Sequence, residues 1–198
     1  MIADTARIFP LVGFGSDPVV EDFCLIGIPA VGASKSAETI IGDHALIRSH
    51  TVIYGGNRIG SNFQTGNKAN IRECNTIGNH VSIGTLSVVE HHVLIEDRVQ
   101  IHSQVFIPEY TVLGKGCWIG PNVVFTNAKY PKSPNVKEEL QGVVIEDGVK
   151  IGANVTILPG VLVGRNSLVG AGSVVTSDVP PGVIVAGSPA CVIREIHY

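Results

Sequence analysis

This sequence of 198 residues has few charged side chains, one tryptophan, one methionine and no long apolar run. Charged residues make up 16% of it, against about 25% in an average protein, whereas 44% of the residues are hydrophobic. A chain with so little charge and so many apolar side chains can bury a large core, which argues against intrinsic disorder. Its length favours a single domain over residues 1–198.

Targeting and binding signals are scarce as well. No apolar stretch approaches the ~20 residues that cross a bilayer, and residues 1–7 lack the basic and apolar segments of a secretory signal. The net charge is -3 and no Lys/Arg cluster is present, so nothing indicates binding to nucleic acids or anionic membranes. The sequence therefore predicts a cytoplasmic protein with no nucleic-acid or membrane partner.

The four cysteines, Cys24, Cys74, Cys117 and Cys191, are far apart and form no CxxC pair. This spacing is typical of neither a disulfide framework nor a zinc knuckle. We expect four reduced cysteines that serve as packing residues, and no metal site.

What the sequence does contain is a six-residue repeat. Apolar residues recur every six positions along residues 8–26, 41–125 and 145–175, and 24 of these 25 positions are apolar, Thr65 being the exception. A period of six is neither helical nor that of a simple strand, so it indicates one short strand and one turn per repeat. The next residue is glycine in 12 of the 25 repeats, which suits a tight corner.

This repeat resembles that of the hexapeptide-repeat proteins over nearly the whole chain. The resemblance implies an all-β fold, a left-handed parallel β-helix of about eight triangular coils with about 18 residues to a coil. It also implies a homotrimer with active sites between subunits. Breaks in the repeat predict two inserted loops, at about 28–40 and 126–144, and loops on a rigid scaffold often carry specificity.

The corner glycine is missing between Gly84 and Gly114, where the corner positions are occupied by Glu90, Glu96, His102 and Pro108. Residues 18 apart lie one above another in such coils, so one column is predicted to contain Gly55, Glu73, His91, Glu109 and Asn127. A histidine held by a carboxylate through one nitrogen can accept a proton at the other. The column therefore predicts His91 as a general base, oriented by Glu109 or Glu73, although polar corner residues can also be ordinary solvated surface.

The segment from Val88 to Ile95 resembles the catalytic segment of bacterial amino-sugar N-acetyltransferases with this fold. The resemblance implies that His91 is the base and that Glu90 contacts the substrate. His92 departs from the pattern, because those enzymes carry an acidic residue at its position.

A second segment, residues 118–131, resembles acetyltransferases that act on 3-amino sugars linked to nucleoside diphosphates. That resemblance leaves open a different pair of active groups, His102 and Ser103. With the long loop, it predicts substrate contacts by Asn127, Lys129 and Tyr130.

The C-terminal third, about residues 145–192, resembles the acyl-CoA end of hexapeptide acetyltransferases. Small corner residues would let the pantetheine arm of acetyl-CoA lie against exposed backbone amides. The residues implied in this groove are Gly152, Ala153, Gly170, Ala171, Gly172, Ser188 and Pro189, with Arg165 or Arg194 facing the phosphates.

Together these resemblances predict an acetyl-CoA-dependent N-acetyltransferase that acts on an amino sugar, most naturally a nucleotide-linked one. An O-acetyltransferase of the same fold and a non-enzymatic trimeric scaffold are the alternatives. A zinc carbonic anhydrase is disfavoured, because the H-x4-H pair typical of that family is absent from the sequence.

Overall fold

A computed structural model describes residues 1–29 and 38–196. Their backbone forms short strands separated by turns of about four residues. In chain order the strands are β1 Arg7–Ile8, β2 Val12–Phe14, β3 Val19–Val20, β4 Leu25–Ile28, β5 Thr39–Ile41, β6 Leu46–Ile47, β7 Val52–Tyr54, β8 Arg58–Ile59, β9 Gln64–Thr65, β10 Asn70–Ile71, β11 Thr76–Ile77, β12 Ser82–Ile83, β13 Val88–Val89, β14 Leu94–Ile95, β15 Gln100–Ile101, β16 Phe106–Ile107, β17 Val112–Leu113, β18 Trp118–Ile119, β19 Val124–Phe125, β20 Val144–Ile145, β21 Lys150–Ile151, β22 Thr156–Ile157, β23 Leu162–Val163, β24 Leu168–Val169, β25 Val174–Val175, β26 Val183–Gly187 and β27 Ala190–Glu195.

Every third strand joins the same sheet, which is the pattern of a triangular parallel β-helix. Sheet 1 has the order β1-β4-β7-β10-β13-β16-β19-β22-β25, and sheet 2 has the order β2-β5-β8-β11-β14-β17-β20-β23. Sheet 3 runs β3-β6-β9-β12-β15-β18-β21-β24-β26 and ends on β27, which pairs antiparallel with β26. The predicted all-β fold of stacked hexapeptide coils is thus confirmed. We name the turns after sheets 1, 2 and 3 corner A, corner B and corner C.

The repeat positions form the core. Of the 25 positions, 23 are buried; Ile8 and Phe14, in the first coil, are only partly buried. Thr65 is buried like its apolar counterparts, and its hydroxyl pairs with the Thr51 hydroxyl and accepts a hydrogen bond from the Arg48 backbone N–H. The six-residue period therefore encodes which side chain points inward in each strand.

The glycine after each strand is explained by how closely successive coils approach. A Cβ added to Gly120 would lie 2.7 Å from the Ile151 carbonyl oxygen in the next coil, and one added to Gly114 would lie 2.7 Å from the Asp147 backbone nitrogen. Real Cβ atoms do not approach backbone so closely. Glycine at this position is therefore set by the contact between coils.

A second feature of the corners is a left-handed backbone at the third residue after the repeat position. Side chains other than glycine occupy it throughout the molecule, including His44, His50, His80 and His92 with φ of 55°, 61°, 56° and 57°. This conformation costs an L-residue roughly 1–2 kcal/mol outside glycine and asparagine. Four of the histidines thus share one structural position.

Both interruptions of the repeat fall at corner A. The late insertion occupies residues 126–143, between β19 and β20, so the predicted boundary at 144 is one residue too long. The early insertion lies between β4 and β5, and residues 30–37 of the predicted loop at 28–40 lie outside the described residues. Within the described ranges, no helix is long and apolar enough to span a membrane.

The cysteines divide into two classes, so the expectation that all four are packing residues is wrong. Cys24 and Cys117 are buried, but Cys74 and Cys191 are exposed. Burial raises the pKa of the Cys117 thiol to about 12, and it also raises the pKa of the Cys24 thiol. All four are free thiols.

We therefore expect a thiolate-specific reagent at pH 8 to modify two thiols per chain quickly and the other two only after denaturation. At that pH a thiol with a pKa of about 12 is ionised to only about one part in 10⁴. Replacing Cys74 and Cys191 together by serine should abolish the fast phase of the reaction with the reagent, followed by its absorbance. A fast phase that persists in this double variant would show that the buried thiols are accessible.

Candidate functional site

Corner A carries the predicted column of polar side chains. Sheet 1 pairs Ile71 with Val89 and Val89 with Ile107, so the turns that follow these strands are stacked directly. Glu73, His91 and Glu109 each lie two residues beyond such a strand end. The stacking of coils therefore turns residues 18 apart in sequence into neighbours.

Glu109 is the carboxylate that contacts His91. One oxygen, Oε1, lies 3.4 Å from Nε2 of His91, and the other, Oε2, accepts a 2.6 Å hydrogen bond from Nδ2 of Asn127. The His91 and Glu109 side chains are 27% and 25% exposed, so the pair is partly shielded but reachable from solvent. Asn127 fixes the carboxylate, and the carboxylate fixes the imidazole.

Glu73, the other predicted orienting group, is engaged elsewhere. Its two oxygens accept hydrogen bonds from Nε and Nη2 of Arg72, at 2.8 Å and 3.0 Å. Burial acts to raise the pKa of Glu73, but the hydrogen bonds and charge of Arg72 outweigh it, so the pKa of Glu73 is lowered. Arg72 also donates to Glu90 at 3.3 Å and lies over the Tyr54 ring. Glu73 is therefore a partner of Arg72 in this column.

The second histidine of the pair packs on the same corner. Nδ1 of His92 lies 2.8 Å from Nδ1 of His91, within hydrogen-bonding distance. The His92 ring is tilted by 34° against Tyr110 of the next coil, with ring centroids 6.0 Å apart. The contact of His92 with His91 was not predicted from the sequence.

The late insertion begins from this corner, because Asn127 is its second residue. The Gln141 backbone N–H, near the end of the insertion, donates to the Asn127 carbonyl at 2.8 Å and so closes the loop at its base. Within the loop a small pocket is lined by Lys129, Tyr130, Ser133, Val136, Glu139 and Gln141. The predicted substrate contacts Lys129 and Tyr130 therefore line a pocket attached to the His91 corner.

The rival pair, His102 and Ser103, lies at corner C of the same coil. Both residues are exposed, and the His102 ring packs against Trp118 with centroids 4.6 Å apart. They line a shallow polar groove with Gln64, Ser82 and Gln100. Among the described residues, no carboxylate lines this groove.

The predicted acyl-CoA residues gather on corner C, toward the C-terminal end of the coils. Gly152 and Gly170 follow the sheet 3 strands β21 and β24, and Ser173 accepts a hydrogen bond from the Gly187 backbone N–H. Ser188 and Pro189 form the exposed turn between β26 and β27. The small and turn residues on this corner are Gly152, Ala153, Gly170, Ala171, Gly172, Ser188 and Pro189.

The two arginines predicted for the CoA phosphates occupy different places. Arg165 lies at corner B, where Nε is 3.6 Å from the Glu146 carboxylate and the backbone N–H donates to the same oxygen at 2.8 Å. Arg194 lies in β27 of sheet 3 and is exposed. Within one chain, Arg165 therefore lies away from corner C, where Gly152 and Gly170 are found. Arg194 lies in sheet 3, which leads into corner C.

Sequence reasoning missed three contacts at corner A: the pair formed by Arg72 and Glu73, the contact of His91 with His92, and the packing of the His91 ring against Tyr110, with ring centroids 6.4 Å apart. Tyr110 could have been found from the sequence only because it follows His92 by 18 residues and so lies in the same column. In the described part of the chain, no group of three His, Cys, Asp or Glu side chains could hold a metal ion.

Comparison with known proteins agrees with this architecture. Residues 142–177, which contain β20 to β25, match the family model described as bacterial transferase hexapeptide (six repeats). Over 89 residues the chain is 42% identical to a galactoside O-acetyltransferase of Lactococcus lactis, covering 43% of each protein. Over 82 residues it is 45% identical to a 2,3,4,5-tetrahydropyridine-2,6-dicarboxylate N-acetyltransferase of Staphylococcus aureus, covering 41% of this chain and 32% of the relative.

The chain thus matches less than half the length of both relatives. Among solved structures it superposes on the Arabidopsis UDP-N-acetylglucosamine acyltransferase with a TM-score of 0.56 and 20% identity, covering 98% of this chain and 74% of that one. That likeness shows the fold, the left-handed parallel β-helix. The family match over residues 142–177 and a repeat that fills all three sheets agree: the described chain is a hexapeptide-repeat β-helix that is similar to bacterial hexapeptide transferases.

Proposed function

We propose that this protein transfers an acetyl group from acetyl-CoA to the amino group of a sugar, in particular a nucleotide-linked amino sugar. The observation that carries this proposal is the series Asn127, Glu109 and His91 at corner A: Asn127 donates a hydrogen bond to Glu109, and the Glu109 carboxylate lies 3.4 Å from Nε2 of His91. A carboxylate-oriented imidazole is the arrangement by which proteins take a proton from an attacking nucleophile. The family's small-residue corner beside sheet 3 supplies a place for the donor.

The chemistry requires few groups. The amine attacks the thioester carbonyl, the C–N bond forms, and a histidine of the His91 corner takes the proton that the amine loses. Collapse of the tetrahedral intermediate breaks the C–S bond, and CoA leaves as a thiolate that recovers the proton. A backbone N–H at a coil corner would stabilise the negative oxygen of the intermediate, and such donors are among the strongest contributions to acyl transfer.

The donor and acceptor corners belong together only in an assembly. In one chain, corner A and corner C lie at opposite edges of sheet 1, so His91 and Gly170 are not neighbours. Sheet 1 presents apolar side chains outward at Val52, Val88, Phe106 and Val124, and the last two are 38% and 37% exposed. We infer that copies of the chain form a homotrimer that buries these side chains and places corner C of one subunit beside corner A of another.

The insertions support the choice of a large acceptor. Both arise at corner A, and the pocket within the late insertion offers the ammonium of Lys129 and the ring of Tyr130, which are 5.7 Å apart. A cation beside an aromatic ring suits a phosphate group and a planar base. A nucleotide attached to the sugar would therefore find contacts beyond the reacting amine.

An O-acetyltransferase is the second candidate, because the matched Lactococcus lactis protein is named a galactoside O-acetyltransferase. A hydroxyl nucleophile needs the same base and the same donor, so the geometry of corner A serves both reactions. The product distinguishes them, because hydroxylamine cleaves an acetyl ester readily and leaves an acetamide intact.

The direct experiment is to measure CoA thiol release from acetyl-CoA with a panel of nucleotide-linked amino sugars and their hydroxyl counterparts. We expect release with an amino sugar and a hydroxylamine-resistant product. Release only with hydroxyl sugars would favour the O-acetyltransferase. A protein that neither releases thiol nor binds CoA in calorimetry would be a structural scaffold.

The donor corner has its own test. Replacing Ala171, which is exposed on corner C, by arginine should raise the KM for acetyl-CoA at least about 10-fold with little change in kcat, because it removes donor binding common to ground and transition states. Asn166→Arg at corner B is the matched control, since Arg98 already occupies the same left-handed position elsewhere. Equal KM values in the two variants would place the donor elsewhere.

A further inference from the structure

We propose that His92, and not His91, is the histidine that touches the acceptor and takes its proton, while His91 passes the influence of Glu109 to it. This inference rests on the proposed function and names the atom that acts: Nε2 of His92. It starts from the distance of 2.8 Å between the two Nδ1 atoms.

Both ring nitrogens of His91 are already occupied. Nε2 lies 3.4 Å from Oε1 of Glu109, and Nδ1 lies 2.8 Å from Nδ1 of His92. A base needs a free nitrogen lone pair within hydrogen-bonding reach of the proton that it abstracts. In this arrangement His91 has none to offer to a substrate.

The Glu109 carboxylate determines which nitrogen of each imidazole carries the hydrogen. An ionised carboxylate only accepts, and Oε1 of Glu109 faces Nε2 of His91 at 3.4 Å, so we assign the hydrogen of neutral His91 to Nε2. Neutral His91 then has a lone pair at Nδ1, and the short contact requires Nδ1 of His92 to donate to it. The only ring nitrogen of these two histidines that still has a free lone pair is then Nε2 of His92.

The surroundings of His92 fit this role. The residue is exposed, whereas His91 is partly covered, and the Tyr110 ring supports the His92 imidazole from the next coil. Of the histidines at the left-handed corner position in the described chain, His92 alone follows another histidine. His44, His50 and His80 follow Asp43, Ser49 and Asn79, which leaves them without this imidazole contact.

The proton transfer balances. As the amine nitrogen bonds to the thioester carbon, its proton moves to Nε2 of His92, and the ring becomes an imidazolium that still donates from Nδ1 to His91. When the C–S bond breaks, the imidazolium returns the proton to the CoA thiolate. Glu109 remains ionised and stabilises the positive charge through His91.

A matched pair of substitutions tests the assignment. Asparagine places an oxygen or nitrogen where histidine has Nδ1, and it accepts the left-handed backbone of position 92. His91→Asn keeps an acceptor for the N–H of His92, so kcat should stay within about 10-fold of the wild type. His92→Asn keeps the contact but loses Nε2, and kcat should fall about 10²- to 10⁴-fold. A kcat for His91→Asn equal to or below that of His92→Asn would overturn the proposal.

A second measurement does not depend on turnover. The ¹⁵N spectrum of the imidazoles, recorded where both rings are neutral and assigned with the two variants, should show His91 protonated at Nε2 and His92 protonated at Nδ1. Protonation of neutral His92 at Nε2 would refute the relay even if no acceptor is found. Wild-type protein that shows these tautomers but releases no thiol with any acceptor would instead count against the proposed function.

Discussion

Replacing His91 by alanine should lower kcat about 10²- to 10⁴-fold, because the base at this corner is then no longer positioned, and should leave the KM for acetyl-CoA nearly unchanged. Alanine removes the link between Glu109 and His92, so the remaining imidazole, that of His92, is no longer held in its working tautomer. The donor corner keeps all of its residues, because Gly152 and Gly170 lie at corner C and not at corner A. Steady-state kinetics with acetyl-CoA and the preferred acceptor measure both constants.

His44→Ala is the control for this experiment. His44 shares the left-handed corner position of His92 but lies at corner B, where its side chain is 3.9 Å from that of the exposed Asp17. Its turnover should equal that of the wild type. Wild-type turnover in His91→Ala would instead move the chemistry to His102 and Ser103, the other pair predicted from the sequence.

The second large effect concerns stability. Phe125→Ala should lower the free energy of unfolding by about 3–5 kcal/mol, because it deletes a completely buried aromatic side chain and leaves a cavity. Phe125 ends β19, where the chain leaves the solenoid for the late insertion, and it stacks on Ile157 of the next coil.

Denaturant titrations at one fixed protein concentration measure this loss, since assembly contributes to the stability of an oligomer. Leu94→Ala provides the comparison, because Leu94 is 37% exposed on sheet 2 and its loss should cost at most about 1 kcal/mol. Equal losses in the two variants would mean that Phe125 does not contribute to the core as its burial indicates.

Much of the fold could be predicted because each repeat of six residues specifies its own strand and corner. Each coil contacts only the coils next to it, so the inward residue, the corner residue and the 18-residue column follow from position alone. The alignment of Glu73, His91 and Glu109 was therefore accessible from counting residues. The burial of Thr65 was also set by its place in the period, and its hydroxyl is satisfied by Thr51.

The choice between neighbours in a column was not accessible in this way. Counting places His91 equally close to Glu73 and Glu109, but Arg72 takes the carboxylate of Glu73 and leaves Glu109 to the histidine. The contact between His91 and His92 depends on the rotamers of two rings at a left-handed turn. Such details arise from competition among polar side chains for the same partner, and the pattern of apolar positions contains no information about it.

The sequence by itself determined the solenoid, its period, the corner glycines and the candidate column, because these depend on contacts that recur every six or 18 residues. Only the tertiary structure decided how the corners are shared. It placed both insertions and His91 at corner A, His102 and the small-residue motifs at corner C, and Arg165 at corner B. The physical reason is that a triangle has three corners: which of them a residue reaches depends on the strands and insertions between repeats, and side-chain pairing then decides which groups meet.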